Sequence, residues 1–274
     1  MENYNQRYAD ANAERTNRST INKDRSDRPN KSRSSRTKSR SKRDKTSKST
    51  KPAKPAKHAK PAKPVKKVKM YNSSKLHIGK HNTLVICDWD DTFFPTTWVN
   101  EQGIDLSDMR SRYTYVRYFD ALDKYLSDTI KQILEHGDLM IITNATLQWI
   151  DLTLTVLPKT KTRLSSIPIV SAREAYQTRC DMSDWKKHTF KAELLKLKHK
   201  MYRNIVSIGD AHYEHQALVD LYRWTAIPHK YLKSVKFTKS SDCIDLFNQV
   251  KLIGDEIPNI TRAQRHLDLS LDIV

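Results

Sequence analysis

Short apolar segments alternate with longer segments of helical period across residues 76–274, and this alternation constrains the fold more than any other feature. The apolar segments lie at 83–87, 139–142, 167–170 and 204–208, with a possible fifth at 235–237. Continuous apolar runs of this length are typical of strands buried on both faces, and helices between such strands are typical of parallel sheets. The sequence therefore predicts an α/β fold built on a doubly wound parallel sheet.

The segments between these strands have the periodicity of amphipathic helices. The predicted helices lie at 115–136, 147–157, 183–201 and 241–253. Gly137 is the expected C-cap of the first helix, and Pro158 is expected to stop the second. Ser183 is expected to cap the third helix at its N-terminus.

Positive charge is concentrated at the N-terminal end of the chain. Residues 1–75 contain 24 of the 50 Lys and Arg residues but 6 of the 31 Asp and Glu residues, which leaves 26 and 25 for residues 76–274. A segment so charged cannot bury enough apolar surface to offset the entropy of ordering its backbone. We therefore predict a disordered basic tail over residues 1–75 and one folded domain over residues 76–274.

A Lys-Pro-Ala repeat lies within this basic tail. Its lysines recur at every third position, as Lys51, Lys54, Lys57, Lys60, Lys63 and Lys66. The polyproline II conformation has three residues per turn, so these lysines would form one row. We expect residues 23–69 to bind nucleic acid through its phosphates, without reading its sequence. The alternative is a semi-rigid linker that also serves as a nuclear address.

The sequence also excludes several classes of protein. No apolar run approaches the roughly 18 residues of a membrane span, and the N-terminal residues are polar where a secretory signal would be apolar. The 3 cysteines are widely spaced, which excludes a disulfide framework and a CxxC metal pair. The 5 glycines form neither GxGxxG nor GxxxxGK, so a dinucleotide-binding fold and a P-loop are excluded. We expect an intracellular protein with no membrane partner, nuclear or associated with nucleic acid.

Polar residues follow three of the predicted strands and open one of the predicted helices. The segments are DWDDT at 88–92, TN at 143–144, WKK at 185–187 and GDAHYE at 209–214. In parallel α/β folds, ligands bind where the strands end. Carboxylates, a threonine and a lysine at one edge of the sheet predict a site for a metal ion and an anion.

The segments TLVICDWDDT, LMIITNAT, WKKHTF and NIVSIGDAHYE resemble the four motifs of the haloacid dehalogenase (HAD) superfamily, in the order of that family. The resemblance covers about residues 80–255. A DxD pair also occurs in glycosyltransferases that use manganese, but the four motifs in order are specific to the HAD family. The sequence is also similar to uncharacterised HAD-like proteins of protists and large DNA viruses.

The resemblance implies a role for each residue of the site. Asp88 would be the nucleophile that forms an aspartyl-phosphate, and Asp90 would be the general acid and base. Mg²⁺ would be held by Asp88, the backbone carbonyl of Asp90 and Asp210, while Glu214 would hold a metal-bound water.

The resemblance also assigns the groups that bind phosphate. Thr143, Asn144 and Lys186 would contact the phosphoryl oxygens. Lys187 is the alternative to Lys186, which is preferred because it directly follows an aromatic residue at the start of a helix. Neither His212 nor His215 is needed as a ligand, and both are expected to lie at the surface or to pack.

The spacing of the motifs leaves no room for a cap domain. About twenty residues, 93–113, are not required by the core before the second motif. An open site suits a large substrate that covers the site itself. We expect a Mg²⁺-dependent phosphatase of a phosphorylated macromolecule, either a phosphoprotein or a nucleic-acid end. The alternatives are a polynucleotide end phosphatase and a catalytically idle protein that binds or packages nucleic acid; the sequence does not predict an oligomeric state.

Overall fold

Six parallel strands form one sheet in the part of the chain that the computed structural model describes, which is residues 77–271 apart from 228 and 241. The strands are β1 (Thr83–Cys87), β2 (Asp138–Thr143), β3 (Ile169–Ser171), β4 (Asn204–Gly209), β5 (Tyr231–Lys236) and β6 (Leu267–Ser270). Their order across the sheet is β3-β2-β1-β4-β5-β6, and every neighbouring pair is parallel. The prediction of an α/β fold with a parallel sheet is confirmed.

Helices follow most of the strands, as the periodicity predicts. They are α1 (Thr96–Glu101), α2 (Met109–Thr114), α3 (Val116–His136), α4 (Leu147–Thr153), α5 (Pro158–Leu164), α6 (Ala172–Tyr176), α7 (Met182–Lys196), α8 (His212–Arg223) and α9 (Cys243–Arg262). Gly137 occupies the C-cap position of α3, as predicted. None of the helices in the described chain is both long and apolar enough to cross a membrane.

The sheet is covered on both faces, so it has a core on each side. Successive residues of β1 point to opposite faces: Val85 joins the core that contains α3 and α9, whereas Ile86 joins the core that contains α7 and α8. Strands buried on both sides are mostly apolar on both faces, which explains the apolar runs at 84–87 in β1 and 205–206 in β4. This is the doubly wound arrangement.

Pro158 begins a helix rather than ending one, which corrects the predicted helix at 147–157. Helix α4 ends at Thr153, a 3₁₀ turn follows at Leu154–Val156, and Pro158 is the first residue of α5. Proline suits that position because its φ is already helical and the N–H that it lacks has no intrahelical partner there.

The helix predicted at 183–201 is also shifted. It begins at Met182, with Asp181 in the N-cap position, so Ser183 lies inside the helix. It ends at Lys196, and a 3₁₀ turn leads to Met201, whose φ of 51° cannot continue a helix. The closing helix α9 is longer than predicted. Strand β5 begins at Tyr231, before the predicted 235–237, and the sequence does not reveal its first half because Lys233, although buried, interrupts the apolar pattern.

The chain between β1 and α3 contains two six-residue helices, α1 and α2, rather than an inserted domain. The segment between the second and third motifs contains α4, α5, β3 and α6. No described helix in either slot is longer than seven residues, and a minimal or absent cap stays a prediction. The predicted basic tail at 1–75 lies outside the described residues, and the statements about it stay predictions.

Candidate active site

The ends of β1, β2 and β4 meet at one edge of the sheet and bring the motif residues together. Cys87, the last residue of β1, is in register with Ile208 on β4 and Ile141 on β2. Asp88 follows directly and donates its backbone N–H to the carbonyl of Ile208 at 2.9 Å. Asp210 follows the end of β4 in the same way. The carboxyl ends of these strands therefore bring Asp88 and Asp210 to one edge of the sheet.

Lys186 connects the residues of three motifs. Its ammonium lies 2.8 Å from Oδ2 of Asp88 and also contacts Oε1 of Glu214. The lysine is buried, with 1% of its surface exposed, and both carboxylates are buried beside it. Burial alone would lower the pKa of Lys186, but the attraction of Asp88 and Glu214 raises its pKa above the usual range. The ammonium is therefore a fixed positive charge beneath the site.

Two side chains hold Asp90 through the same oxygen atom. The hydroxyl of Thr96, on α1, donates to Oδ1 of Asp90 at 2.5 Å, and the indole Nε1–H of Trp149, on α4, donates to the same atom at 2.9 Å. An isolated bridge between Asp90 and Phe94 closes the loop after β1. The Asp90 carboxyl is therefore oriented by donors from two helices, α1 and α4.

Burial and crowding raise the pKa of several carboxyls. The pKa of Asp90 is raised to about 7, chiefly by burial and also by the charge of Asp88. The pKa of Asp210 is raised to about 8 by burial and by the charges of Asp88 and Glu214. Burial likewise raises the pKa of Glu214, against the opposing effect of Lys186. The positive charge of Lys186 therefore does not balance the negative charges of the carboxylates around it.

Glycine is required at 209 because Glu214 fills the space where a side chain would go. A Cβ atom on Gly209 would lie 2.7 Å from Cδ of Glu214 and closer still to its Cγ. Glu214 belongs to the first turn of α8, where a carboxylate also suits the positive end of the helix dipole. Gly209 therefore leaves room for the side chain of Glu214, and Asp210 follows it directly at the end of β4.

The residues present fit a hard divalent cation. Oδ1 of Asp88 and Oε2 of Glu214 are buried with no hydrogen-bond partner in the described part of the chain. The available donors are oxygens, which Mg²⁺ prefers. Residues 77–271 contain no group of three or more His, Cys, Asp or Glu side chains gathered as a metal cluster. The expected ligand set does not require one, because it contains two side chains, Asp88 and Asp210, and the backbone carbonyl of Asp90.

The predicted phosphate-binding residues lie at the end of β2. Thr143 is buried, and its Oγ1 accepts the N–H of Ala145 at 3.0 Å, which leaves its own hydroxyl proton available. Asn144 has its Oδ1 buried without a hydrogen-bond partner among the described residues. Lys187, the alternative lysine, pairs with Asp184 at 2.6 Å on the outer side of α7. Lys186 is thus the lysine that lies at the site.

Three residues of the site were not found from the sequence. Thr96 and Trp149 gave no signal, because nothing in a sequence shows which donor reaches Asp90. Lys239 lies 3.8 Å from Asp210 and is largely exposed at the mouth of the site. Lys239 lies three residues after the end of β5. The rule that ligands bind where parallel strands end therefore also points to Lys239, once the position of β5 is known. His215 lies 3.3 Å from the hydroxyl of Ser234, away from these groups.

The comparisons with known proteins give one distant structural similarity. No protein-family model matches the sequence, and no curated protein has a matching sequence. Among solved structures, the chain is similar to a HAD family hydrolase from Deinococcus radiodurans R1, crystallised with bound phosphate and sodium. The match has 15% identity and a TM-score of 0.30, and it covers 61% of this chain and 87% of that chain. A similarity this low carries no argument about function.

Proposed function

We propose that this chain is a Mg²⁺-dependent phosphomonoester hydrolase of the HAD type. The observation that carries the proposal is the contact of Lys186 with Asp88, a buried ammonium 2.8 Å from a buried carboxylate where the strands end. The second oxygen of Asp88 is buried and accepts no hydrogen bond from the described residues. That oxygen fits the proposed cation site, which leaves the other oxygen of Asp88 to attack phosphorus, and the ammonium beside it attracts an anionic substrate.

In the first half-reaction, an oxygen of Asp88 attacks the phosphorus atom, and the bond from phosphorus to the leaving oxygen breaks. Asp90 gives its proton to that oxygen. The hydrogen bonds from Thr96 and Trp149 hold Oδ1 of Asp90, so the other oxygen is the one that carries the proton. The product is an aspartyl-phosphate on Asp88 and a free alcohol.

In the second half-reaction, a water molecule attacks the same phosphorus atom. Asp90 takes the proton of the water, orthophosphate leaves, and the carboxylate of Asp88 is restored. Lys186, Thr143 and the amide of Asn144 bind the phosphoryl oxygens in both steps. Mg²⁺, when bound by Asp88, Asp210 and the carbonyl of Asp90, neutralises charge that would otherwise repel the phosphate.

The short helices that follow β1 support a macromolecular substrate. Helices α1 and α2 are the described additions between β1 and α3, and each has six residues. Elements this short cannot enclose a small metabolite, whereas a large substrate can exclude water from the site by its own surface. We propose a phosphoprotein or a nucleic-acid end as the substrate class, and contact of the basic residues 23–69 with nucleic acid.

Hydrolysis of an aryl phosphate tests the proposed chemistry. The wild-type chain should release phosphate with Mg²⁺ and lose activity in EDTA. Asp88→Asn should abolish turnover while the melting temperature stays close to that of the wild type. Asp220→Asn is the matched control, because Asp220 pairs with Lys191 on the surface and should leave turnover unchanged. Activity of Asp88→Asn would show that Asp88 is not the nucleophile, whereas a folded wild type without activity would support the alternative of an idle binding protein.

A further inference from the structure

Helix α2 presents large side chains to solvent. None of its residues is buried, and Met109 and Tyr113 are 81% and 79% exposed. A spacing of four residues places both on the same side of the helix. Tyr118, in the first turn of α3, is exposed as well. Exposed large side chains at neighbouring positions are a candidate contact surface for another molecule.

Two arginines accompany these side chains. Arg110 and Arg117 are exposed, and neither lies within salt-bridge distance of a carboxylate among the described residues. The neighbouring Asp105 and Asp108 instead accept backbone N–H groups of their own turns. Asp120, in α3, is one exposed carboxylate near these residues in sequence. The arginines are therefore available to an anionic partner.

Aromatic contacts connect this surface to the candidate active site. Trp149 donates its indole N–H to Asp90, the proposed general acid. From Trp149 a series of ring contacts leads outward to the start of α3. Neighbouring rings in the series have centroids 5.4–6.3 Å apart, and the rings are those of Trp149, Phe94, Phe119, Trp98 and Tyr118. These ring contacts connect Tyr118 at the surface with Trp149, which holds Asp90.

We propose that this α2 surface, formed by Met109, Arg110, Tyr113, Arg117 and Tyr118, binds a single-stranded nucleic acid whose terminal phosphate is the substrate of the site. This inference rests on the proposed phosphatase function and names its substrate class. Bases stack on exposed aromatic rings, and arginines neutralise the phosphates between them. A duplex end has few unstacked bases to offer, and a phosphopeptide does not require a stacking platform.

The test compares substrates and paired variants of the full-length chain. The substrates are a phosphorylated single-stranded oligonucleotide, the same strand in a duplex, a phosphopeptide and an aryl phosphate. The variant is Arg110→Ala with Tyr113→Ala. Its control is Arg223→Ala with Tyr222→Ala, an exposed pair at the end of α8, where Tyr222 is 65% exposed. Salt of about 200 mM weakens contacts that depend on charge alone.

We expect the wild type to prefer the single strand over the duplex and the phosphopeptide in kcat/KM. The Arg110/Tyr113 variant should lose about tenfold or more on the single strand, the size of a lost stacking contact, and should keep its aryl phosphate activity within about twofold. The control pair should change neither.

Three results would overturn the inference. They are an unchanged rate on the single strand, an equal loss on the phosphopeptide, and an equal loss in the control pair. If these occur while the aryl phosphate is still hydrolysed, only the substrate assignment is wrong. If the wild type hydrolyses no substrate at all, the phosphatase function itself is wrong.

Discussion

Trp149 donates its indole N–H to Oδ1 of Asp90 at 2.9 Å, although the two residues are 59 positions apart in sequence. The bond runs from the helix after the second motif to the loop of the first motif. Trp149 is therefore a positioning residue, because its hydrogen bond fixes the orientation of the Asp90 carboxyl, the proposed general acid.

Trp149→Phe should therefore lower kcat on an aryl phosphate about tenfold and leave KM nearly unchanged. The expected size is the lower end, roughly 1.5 kcal/mol, of the range for a hydrogen bond to a charged group, since Thr96 still donates to the same oxygen. Phenylalanine keeps an aromatic ring near Phe94 but removes the donor and part of the packing volume. Trp98→Phe is the control, because the described contacts of Trp98 are with the rings of Tyr115, Tyr118 and Phe119. Steady-state kinetics decides the matter, and an equal loss of kcat in both variants would assign Trp149 to packing alone.

Gly209→Ala should reduce both stability and activity, because the new Cβ meets the side chain of Glu214. Displacing Glu214 removes a partner of Lys186 and leaves a buried ammonium less well compensated. The double variant Gly209→Ala with Glu214→Ala isolates this cause, since it removes the atoms that clash. We expect the melting temperatures of the single and double variants to be strongly non-additive. Additive losses would place the cost of the substitution elsewhere in the backbone.

Much of the fold follows from the sequence, because buried strands leave a clear pattern. Strands β1, β2 and β4 each contain at least three apolar residues, and their bounds agree with the predicted segments within one or two residues. Strand β6, at Leu267–Ser270, was missed because it lies at the edge of the sheet and is only partly buried. Its four residues are at the lower limit of the alternation that indicates a strand.

The candidate site divides in the same way. Asp88, Thr143 and Asp210 directly follow or end predictable strands, so the topology locates them. Thr96 and Trp149 were not predicted, because their part depends on how α1 and α4 pack around one carboxyl. Packing between distant segments is decided by tertiary structure, which a single sequence does not reveal.

Lys233 provides a test of how burial affects stability. Its ammonium, inside the fold, donates to the carbonyls of Ile260 at 2.7 Å and Thr261 at 2.9 Å, near the end of α9. Burial lowers the pKa of Lys233 from its usual value to about 8. Between about pH 8 and 10.5 the unfolded chain therefore binds a proton that the folded chain does not. Across that window the free energy of unfolding contributed by Lys233 rises with pH.

Urea unfolding of the wild type and of Lys233→Met, at pH 7.5 and pH 10, measures this contribution. The difference in stability between the two proteins should grow in favour of the wild type at the higher pH. One pKa unit corresponds to about 1.4 kcal/mol, so the change is at most a few kcal/mol. In the difference between the two proteins, the contributions of groups that titrate in both of them cancel. A difference that is constant or shrinks with pH would contradict the lowered pKa.

The lysine row at 51–66 should make nucleic-acid binding strongly dependent on salt. Each phosphate that is neutralised releases about 0.9 counterion from duplex DNA, so six contacts give a log–log slope near −5. Between about 50 and 200 mM salt the affinity should then fall roughly a thousandfold. Replacement of Lys51, Lys54, Lys57, Lys60, Lys63 and Lys66 by glutamine should remove most of that slope.

Fluorescence anisotropy with two unrelated duplexes measures both the slope and the dependence on sequence. The wild type should bind the two duplexes almost equally, since lysines that contact only phosphates do not read bases. The glutamine variant should hydrolyse an aryl phosphate at the wild-type rate, because the proposed catalytic groups all lie at the sheet edge formed by β1, β2 and β4. An unchanged slope in the glutamine variant would show that the repeat is a linker or an address, and that any binding comes from other basic residues.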